Sequence, residues 1–227
     1  AVSAFFAGRR VYIADGHHRF ETALQYARER RAQENPTTVE PYDFILTLLV
    51  NIYDPGVVVL PTHRLVRVPP TFNLDAFLAA AGEFFTVTAK GDEVVSGGRY
   101  VFGLYTGGGR SYLLRLKEEL DPAEVVPGSE SATWKRLAVT VLHYFVLNRL
   151  LGIGAAESGP GDRIGYTHDA AAARHLVDTG AWDLAFFLPS PTVAELVAIA
   201  EAGERMPQKS TYFYPKVPTG LVLYAFD

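Results

Sequence analysis

Apolar residues recur along this chain at two different spacings, one helical and one strand-like. Residues 17–33 carry apolar side chains three and four positions apart, starting at Phe20, which predicts an amphipathic helix that ends near Asn35. Residues 133–151 show the same spacing with a second apolar stripe, so we expect the most deeply buried helix there. The aliphatic run at 57–60 is instead typical of a short, fully buried strand.

The remaining pattern alternates strands with helices and includes a hairpin. Further strands are predicted at 10–15, 42–53, 65–68, 85–89, 99–105, 111–117, 164–167, 182–188 and 221–226, and further helices at 72–85, 170–178 and 190–202. Loops are expected at 121–131 and 159–162, and the glycine-rich stretch at 106–109 predicts a hairpin turn. Asp169 and Ser190 are the expected N-caps of the last two helices. This mixture predicts an α+β (mixed α/β) fold, a mixed sheet with helices packed on it, rather than a doubly wound Rossmann fold.

The length of 227 residues and the 48% hydrophobic content are those of an ordinary globular protein. We expect one compact α/β unit over 1–227, with a division into 1–120 and 121–227 as the alternative. The chain starts with Ala1, its single methionine is Met206, and a strand is predicted almost at once. We therefore expect a C-terminal fragment of a longer protein, from which part of a site is missing.

Composition excludes several classes of function. The chain has no cysteine, so disulfides, thiol nucleophiles and thiolate metal sites are excluded. The net charge of −4 argues against a general nucleic-acid partner, which needs a basic excess. No run of about 18 apolar residues is present, so no membrane helix is expected. These features fit a cytoplasmic protein and leave a homo-oligomer open. A small phosphorylated molecule is the ligand predicted by the motifs that follow.

The most informative motif is DGHHR at 15–19, where a predicted strand turns into a predicted helix. The free N–H groups of a first helical turn carry partial positive charge and attract anions. Gly16 lets an anion approach the backbone, and Arg19 can hold a phosphate with two donors. Asp15 can hold hydrated Mg²⁺ or act as a base, and His17 and His18 can move protons. The alternative is that Asp15 caps the helix and the other side chains are solvated surface.

Two further polar clusters follow predicted strands. His63 and Arg64 come directly after the run at 57–60, in the position where α/β proteins place site residues. The alternative is a turn with one surface histidine and one surface arginine. His168 and Asp169 follow another short strand, and the alternative there is an exposed loop histidine beside a capping aspartate.

The C-terminal block MPQKSTYFYPK combines hydrogen-bond donors with aromatic rings. Lys209, Ser210 and Thr211 can hold a phosphate, and Tyr212 and Tyr214 can stack on a base. The block lacks the glycine pattern of a P-loop. The alternative is a β segment with aromatic packing and exposed lysines.

Four of the six histidines lie at predicted strand ends, whereas His143 and His175 fall inside predicted helices, where we expect structural roles. A zinc or iron site built from His17, His63 and His168 is an alternative, because imidazoles together with carboxylates bind such metals. None of these three histidines has the helical spacing of an HExxH motif.

Four blocks of the sequence, ADGHHRFETA, VVLPTHRL, YTHD and MPQKSTYFYPK followed by TGL, resemble the domain-of-unknown-function 1015 family of bacteria and archaea. The resemblance runs from Val11 to about Leu223, with the blocks in the family's order. It implies a cytosolic protein longer than this chain, with an additional N-terminal stretch. The function of that family is unsettled.

The DGHHR turn is also similar, over about ten residues, to the phosphate-binding strand–turn–helix of the superfamily that contains ParB, free serine kinase and sulfiredoxin. In that superfamily a Gly-x-x-Arg turn cradles nucleotide phosphates. The resemblance implies phosphate contacts from Gly16 and Arg19. It also implies a metal-binding or basic carboxylate from Asp15 or Glu21.

Together these residues predict a phosphate- or nucleotide-binding protein, a Mg²⁺-dependent phosphotransferase or nucleotide hydrolase that acts on a small molecule and uses ATP, ADP or CTP. The predicted catalytic residues are Asp15, His17, His18, Glu21 and His168, the predicted nucleotide contacts are Gly16, Arg19, His63, Arg64, Lys209, Ser210 and Thr211, and the predicted metal ligands are Asp15 and Asp169. The alternatives are a non-catalytic nucleotide-sensing module of ParB type, a His/Asp metal-dependent hydrolase, and a structural domain without a ligand.

Overall fold

The computed structural model describes residues 2–90, 98–154, 163–218 and 220–225. The chain divides into two compact units. The first unit comprises Ala1–Val58 and Phe213–Asp227, and the second unit comprises Val59–Tyr212. Within the described residues, no helix is both long enough and apolar enough to cross a membrane.

The described residues form eight α-helices and two helical stretches of other types. The α-helices are α1 (Val2–Phe6), α2 (His17–Glu34), α3 (Leu74–Ala81), α4 (Pro122–Val125), α5 (Ala132–Lys135), α6 (Ala138–Val141), α7 (Ala170–Asp178) and α8 (Val193–Glu201). A 3₁₀ turn covers Pro41–Asp43, and a π-type helix covers Leu142–Leu150. The helix predicted at 17–33 is therefore confirmed, and Asn35 ends it in the left-handed conformation, as a C-cap.

The described strands form two sheets. They are β1 (Val58–Leu60), β2 (His63–Val66), β3 (Phe85–Lys90), β4 (Val101–Tyr105), β5 (Ser111–Leu116), β6 (Ile164–Thr167), β7 (Leu184–Phe187) and β8 (Tyr212–Tyr214). Strands β1 and β8 make a two-stranded sheet, and the other six follow the order β3-β5-β4-β7-β2-β6. The five strand pairings of the larger sheet are antiparallel. The predicted α+β class is confirmed, but the larger sheet is antiparallel in its described pairings rather than mixed.

Strands β2, β4 and β7 at the centre of the six-stranded sheet are buried on both faces, and strand alternation assigns each side chain to one of them. Val66 and Phe186 belong to the larger core, which the π-type helix also enters through Phe145. Leu65 and Phe187 belong to the smaller core, which they share with residues of α7. Burying each such side chain contributes about 1.5–3 kcal/mol, so this sheet holds most of the stabilising contacts of the second unit.

The sequence signals of α7 and of the β4–β5 hairpin are confirmed. Asp169 caps α7 by accepting from the amides of Ala171 and Ala172 at 2.8 and 3.1 Å. The glycine stretch at 107–109 makes the hairpin turn with all three residues at positive φ, a conformation that a side chain would strain.

Two predicted strands are wrong. Residues 10–15 and 42–53 contain no strand, although their composition is β-rich. Leu48 is 63% exposed and Tyr53 81% exposed, so these apolar side chains lack a core to pack against within the described chain. A strand requires a neighbour that pairs with its backbone, and neither segment has one among the described residues. The same unit leaves Phe20 of α2 39% exposed.

The helix predicted at 133–151 is confirmed as a deeply buried helix over residues 138–150, but it is interrupted near its start rather than continuous. Leu137 is extended, with φ −66° and ψ 136°, and it separates α5 from α6. The Tyr100 hydroxyl donates to the carbonyl of Arg136 at 2.9 Å, and the Arg136 guanidinium pairs with Asp121. The backbone at this position is thus bound by side chains of other elements rather than continued as a helix.

Smaller differences concern element ends. The cap of α8 is Thr192, which forms a capping box with Glu195, and Ser190 lies outside the helix. Strand β1 is half exposed rather than fully buried. The predicted loop at 121–131 contains the short helix α4, and residues 221–225 are not a strand. The loop predicted at 159–162 and the end of the strand predicted at 221–226 lie outside the described residues.

Candidate functional site

In the first unit, the guanidinium of Arg19 folds back across Gly16 at the start of α2. A Cβ atom placed on Gly16 would lie 3.1 Å from Nη2 and 3.2 Å from Nε of Arg19. Gly16 also has φ +82°, a left-handed conformation that L side chains rarely adopt. Any larger residue at this position would therefore strain the backbone and displace the guanidinium.

The start of α2 has no side-chain cap within the described chain. The first backbone bond of the helix runs from the Phe20 amide to the Gly16 carbonyl at 3.0 Å. The amides of 17–19 thus occupy the helix positions that have no intrahelical acceptor. Asp15, the alternative cap considered above, does not cap α2.

Asp15 instead pairs with Lys216. The Lys216 ammonium donates to Oδ2 of Asp15 at 3.1 Å, and both side chains are about half exposed. Partial burial acts to raise the pKa of Asp15, but the Lys216 hydrogen bond and charge, the Gly16 amide and the Arg19 charge together lower it below 3.8. Asp15 is therefore anionic at neutral pH and holds one cation beside the helix start.

The predicted proton-transfer residues of this unit are open to solvent. His18 is fully exposed, and its Nδ1 lies 3.8 Å from Oε2 of Glu21. His17 is exposed as well. An open depression of about 490 Å³ lies along one face of α2 and is lined by His18, Arg19, Thr22, Ala23 and Tyr26.

In the second unit, His63 and Arg64 lie inside strand β2, and both are buried. The alternative of a surface turn is therefore wrong. The His63 ring packs on Phe187 at 5.0 Å between centroids, and its Nδ1 accepts from the Leu188 amide at 3.4 Å. Burial lowers the pKa of His63 to about 4, with a further contribution from the Arg64 charge. His63 is neutral at pH 7.

Arg64 makes contacts that cross the sheet and the core. Its Nε donates to Nε2 of His143 at 3.1 Å, its Nη1 donates to the Thr62 carbonyl, and its guanidinium lies 5.1 Å from the ring centre of Tyr166. Burial, followed by the Arg64 charge, lowers the pKa of His143 to about 3. His143 is therefore a neutral hydrogen-bond acceptor.

The other two blocks of the second unit meet at His168. Its ring stacks on Tyr212 with 4.3 Å between centroids and 15° between planes. Thr167, one residue earlier, lies opposite His63 in the β2–β6 register. Asp169 lies close enough for its charge to act on His63, and its own pKa is lowered by the amides of Ala172 and Ala171. Three of the four sequence blocks are thus neighbours within this unit.

The donors predicted in the C-terminal block are partly used by the fold. Ser210 is buried, and its hydroxyl donates to the Pro207 carbonyl. Lys209 has φ +53° and is exposed, and Thr211 is partly buried. One face of the Tyr212 ring is covered by His168, so a base can stack only on the other face.

Metal ligation has limited support among the residues that the structure describes. They contain no group of three or more His, Asp or Glu side chains that could hold a metal ion. Mg²⁺ usually needs only one or two protein carboxylates together with substrate phosphates, so the predicted ligands are compatible with it. In the first unit, Asp15 is ionised and pairs with Lys216. In the second unit, Asp169 already accepts hydrogen bonds from two backbone amides.

Sequence reasoning missed three contributors to these sites. His143 was assigned a structural role, yet it binds Arg64 from 79 residues away. The sequence feature that indicates this contact is a titratable residue inside an otherwise apolar stretch. Tyr166 and Lys216 belong to the YTHD and MPQKSTYFYPK blocks, but their contacts depend on strand register and on a pairing 201 residues apart, which the sequence does not show.

The α+β fold and the uncapped start of α2 do not by themselves assign this chain to one functional class. The chain is a member of the family described as "Protein of unknown function (DUF1015)", whose profile matches residues 1–140. The ADGHHRFETA and VVLPTHRL blocks lie inside that match, and the other two blocks lie beyond it. No curated protein matches the chain.

Solved structures give weaker likenesses. A conserved hypothetical protein from Pyrococcus furiosus is 17% identical, with a TM-score of 0.44, 91% of this chain covered and 71% of that chain. Free serine kinase in complex with AMP is 17% identical, with a TM-score of 0.41 and 73% of this chain covered. A point mutant of free serine kinase in complex with ADP is 16% identical, with a TM-score of 0.40 and 74% of this chain covered. The chain spans 57% and 58% of those two kinase chains.

Proposed function

We propose that this protein binds the phosphate groups of a nucleotide at the start of α2 and acts as a Mg²⁺-dependent phosphotransferase or nucleotide hydrolase on a small molecule. The observation that carries the proposal is the guanidinium of Arg19, which lies across Gly16 at an uncapped helix start.

Three sources of positive charge support an anion at this place. The 17–19 amides carry the partial charge of the helix, which contributes about 0.3–1 kcal/mol for an exposed anion. Arg19 can donate two parallel hydrogen bonds to one phosphate, and hydrogen bonds to charged groups contribute about 1.5–3 kcal/mol each. Lys216 adds a second cation, although its pairing with Asp15 offsets part of its charge.

The polar side chains beside this helix start suit phosphoryl transfer, which depends mainly on positioning and on compensation of charge. Asp15, ionised at neutral pH, is the proposed base or Mg²⁺ ligand, with Glu21 as the second carboxylate. His17 and His18 are exposed and able to exchange protons with a bound substrate. Bound Mg²⁺ would neutralise charge on the transferred phosphate.

For the second unit, taken by itself, we propose roles that match its burial pattern. His168 keeps an exposed ring, held by its stack on Tyr212, and is the proposed proton-transfer residue. Asp169 is the proposed Mg²⁺ ligand of this unit, considered separately from Asp15. Lys209 and Thr211 are the proposed phosphate contacts, and the Ser210 hydroxyl is available only as an acceptor while it donates to Pro207. The buried His63 and Arg64 are proposed contacts for a ligand group that enters the protein.

Calorimetric titration with ATP, ADP and CTP, each with Mg²⁺ and with a chelator, tests the proposal. We expect Arg19→Ala to weaken nucleotide binding about tenfold or more. Arg28→Ala is the matched control, because it removes the same charge from an exposed position of α2 nine residues on, on the opposite face of the helix. Absence of binding by the wild-type protein, or equal binding by both variants, would contradict the proposal.

Turnover separates the enzyme from a nucleotide-sensing module. The enzyme releases ADP or phosphate from ATP in the presence of the acceptor, and Asp15→Asn reduces that rate. A sensing module binds nucleotide with no release of product and changes its oligomeric state, which light scattering detects.

A further inference from the structure

Arg64 is a cation buried without an opposite charge. Its exposure is 0%, and it makes no ion pair with a carboxylate in the described part of the chain. On its face of the sheet, Phe186 and Tyr166 lie beside it in register on β7 and β6. Burial lowers the pKa of Arg64 to about 10, so the guanidinium stays protonated at neutral pH.

The hydrogen bonds of this guanidinium are incomplete. Its Nε and Nη1 donate to His143 and Thr62, but its Nη2 is buried and has no hydrogen-bond partner among the residues that the structure describes. Both partners are neutral, because burial keeps His143 unprotonated and the Thr62 acceptor is a carbonyl. A buried N–H without an acceptor is destabilising, and a buried charge without compensation is more so.

Arg30 allows a comparison of charge compensation within the same chain. Its Nε is also buried and unpartnered, but its guanidinium forms an ion pair with Glu34. Arg30 therefore has its counter-charge within the protein, and Arg64 does not.

We propose that Arg64 forms an oxyanion-binding site in which a carboxylate or phosphate group of a small-molecule ligand accepts from Nη2 and supplies the missing negative charge. His143 and Thr62 position the guanidinium by holding its other two nitrogens. The site belongs wholly to the second unit and stands whether or not the start of α2 binds a nucleotide.

The residues that contact the Arg64 guanidinium are less buried than the guanidinium itself. Thr62, His143 and Tyr166 are each only partly buried, although the guanidinium between them is inaccessible. A ligand therefore reaches Nη2 only when some of these contacting side chains move. Nη2 can donate to a ligand without breaking any hydrogen bond found among the described residues.

The test uses the full chain carrying Arg19→Ala, so that the first unit does not contribute. Inorganic phosphate and acetate are titrated separately at constant ionic strength, and the melting temperature and the Arg64 Nε–H NMR resonance are followed. We expect a saturable rise in melting temperature and a shift of this resonance with at least one of the two anions. Response to phosphate alone identifies a phosphate site, and response to acetate identifies a carboxylate site.

Adding Arg64→Met should lower the affinity for that anion about tenfold or more. Adding Arg67→Met is the control, because Arg67 directly follows the same strand but is exposed and lies on Trp182. If Arg64→Met does not fold, the resonance of the parent protein decides alone. An unshifted Arg64 resonance with both anions, or unchanged anion affinity in the folded Arg64→Met protein, would overturn the proposal. Loss of nucleotide binding in Arg19→Ala is a separate result and leaves this one intact.

Discussion

The first unit presents its cationic groups to solvent, whereas the second unit buries one. Arg19 lies over the backbone of an exposed helix, where water can compensate its charge when no ligand is bound. Arg64 lies between two sheet strands and a core helix, where nothing in the described chain compensates it. An arginine at the surface can therefore move to contact a ligand. A buried arginine is fixed in place and destabilises the folded state unless its charge is compensated.

The largest expected contrast between the units is in packing. Phe145→Ala should lower the free energy of unfolding by about 3–5 kcal/mol, because its buried ring packs on Phe84 at 5.1 Å and on Phe85 at 6.1 Å. Phe20→Ala, at an exposed position of α2, should change it by about 0.5 kcal/mol. Urea denaturation followed by circular dichroism measures both. Equal losses of unfolding free energy in the two variants would mean that side-chain packing stabilises the first unit as much as the second.

Acid should weaken the second unit through its buried histidines. The pKa of His63 is lowered from 6.5 to about 4, so the unfolded chain takes up a proton at higher pH than the folded protein does. The free energy of unfolding should therefore be constant above pH 6.5 and fall between pH 6.5 and about 4, by about 3 kcal/mol for His63. His143 adds a fall that continues to about pH 3.

Substitution separates this effect from general acid denaturation. His63→Gln should flatten the pH dependence of the free energy of unfolding between pH 6.5 and 4, measured by urea denaturation at each pH. His18→Gln, at a fully exposed position, should leave it unchanged. The same slope in both variants would contradict the assignment to His63.

A smaller effect is expected at the helix start of the first unit. Gly16→Ala should cost about 1–2 kcal/mol of stability, because Gly16 has φ +82° and a Cβ would press on the Arg19 guanidinium. It should also weaken nucleotide binding, measured by calorimetry, by displacing that guanidinium. Gly8→Ala is the matched control, since nothing lies within 4 Å of its Cβ position. Unchanged nucleotide affinity in Gly16→Ala would show that Arg19 does not need this placement.

The smallest expected effect is that of the Asp15–Lys216 pair. A double-mutant cycle with Asp15→Asn and Lys216→Met should give a coupling of about 0.2–1 kcal/mol, because both side chains are exposed to water. The pKa of Asp15 is lowered, so the coupling should be present above pH 3.8 and fade as the pH falls below that value. It should also decrease at high salt. A coupling that persists at high salt would show that the pair is more enclosed than its exposure indicates.

Local signals in the sequence were enough to predict several elements correctly. The length of α2, the Asp169 cap of α7 and the glycine turn between β4 and β5 follow from interactions within a few residues, and each is confirmed. The close approach of Arg19 to Gly16 is also local, because one helical turn brings the two together, but it is not among the predictions. The chemical roles assigned to these residues stay predictions.

Tertiary structure alone decided which of the remaining patterns became elements and which polar groups became buried. Residues 42–53 have the composition of a strand but no paired neighbour in the described chain, and the 133–151 stretch is divided where Tyr100 binds the Arg136 carbonyl. Arg64 was expected beyond the end of a strand and lies inside one, bonded to His143 across 79 residues. Helical periodicity and caps depend on neighbours three or four residues away, and these neighbours can be read directly from the sequence. Strand pairing, helix breaks and the burial of a charge depend on partners that only the folded chain brings into contact.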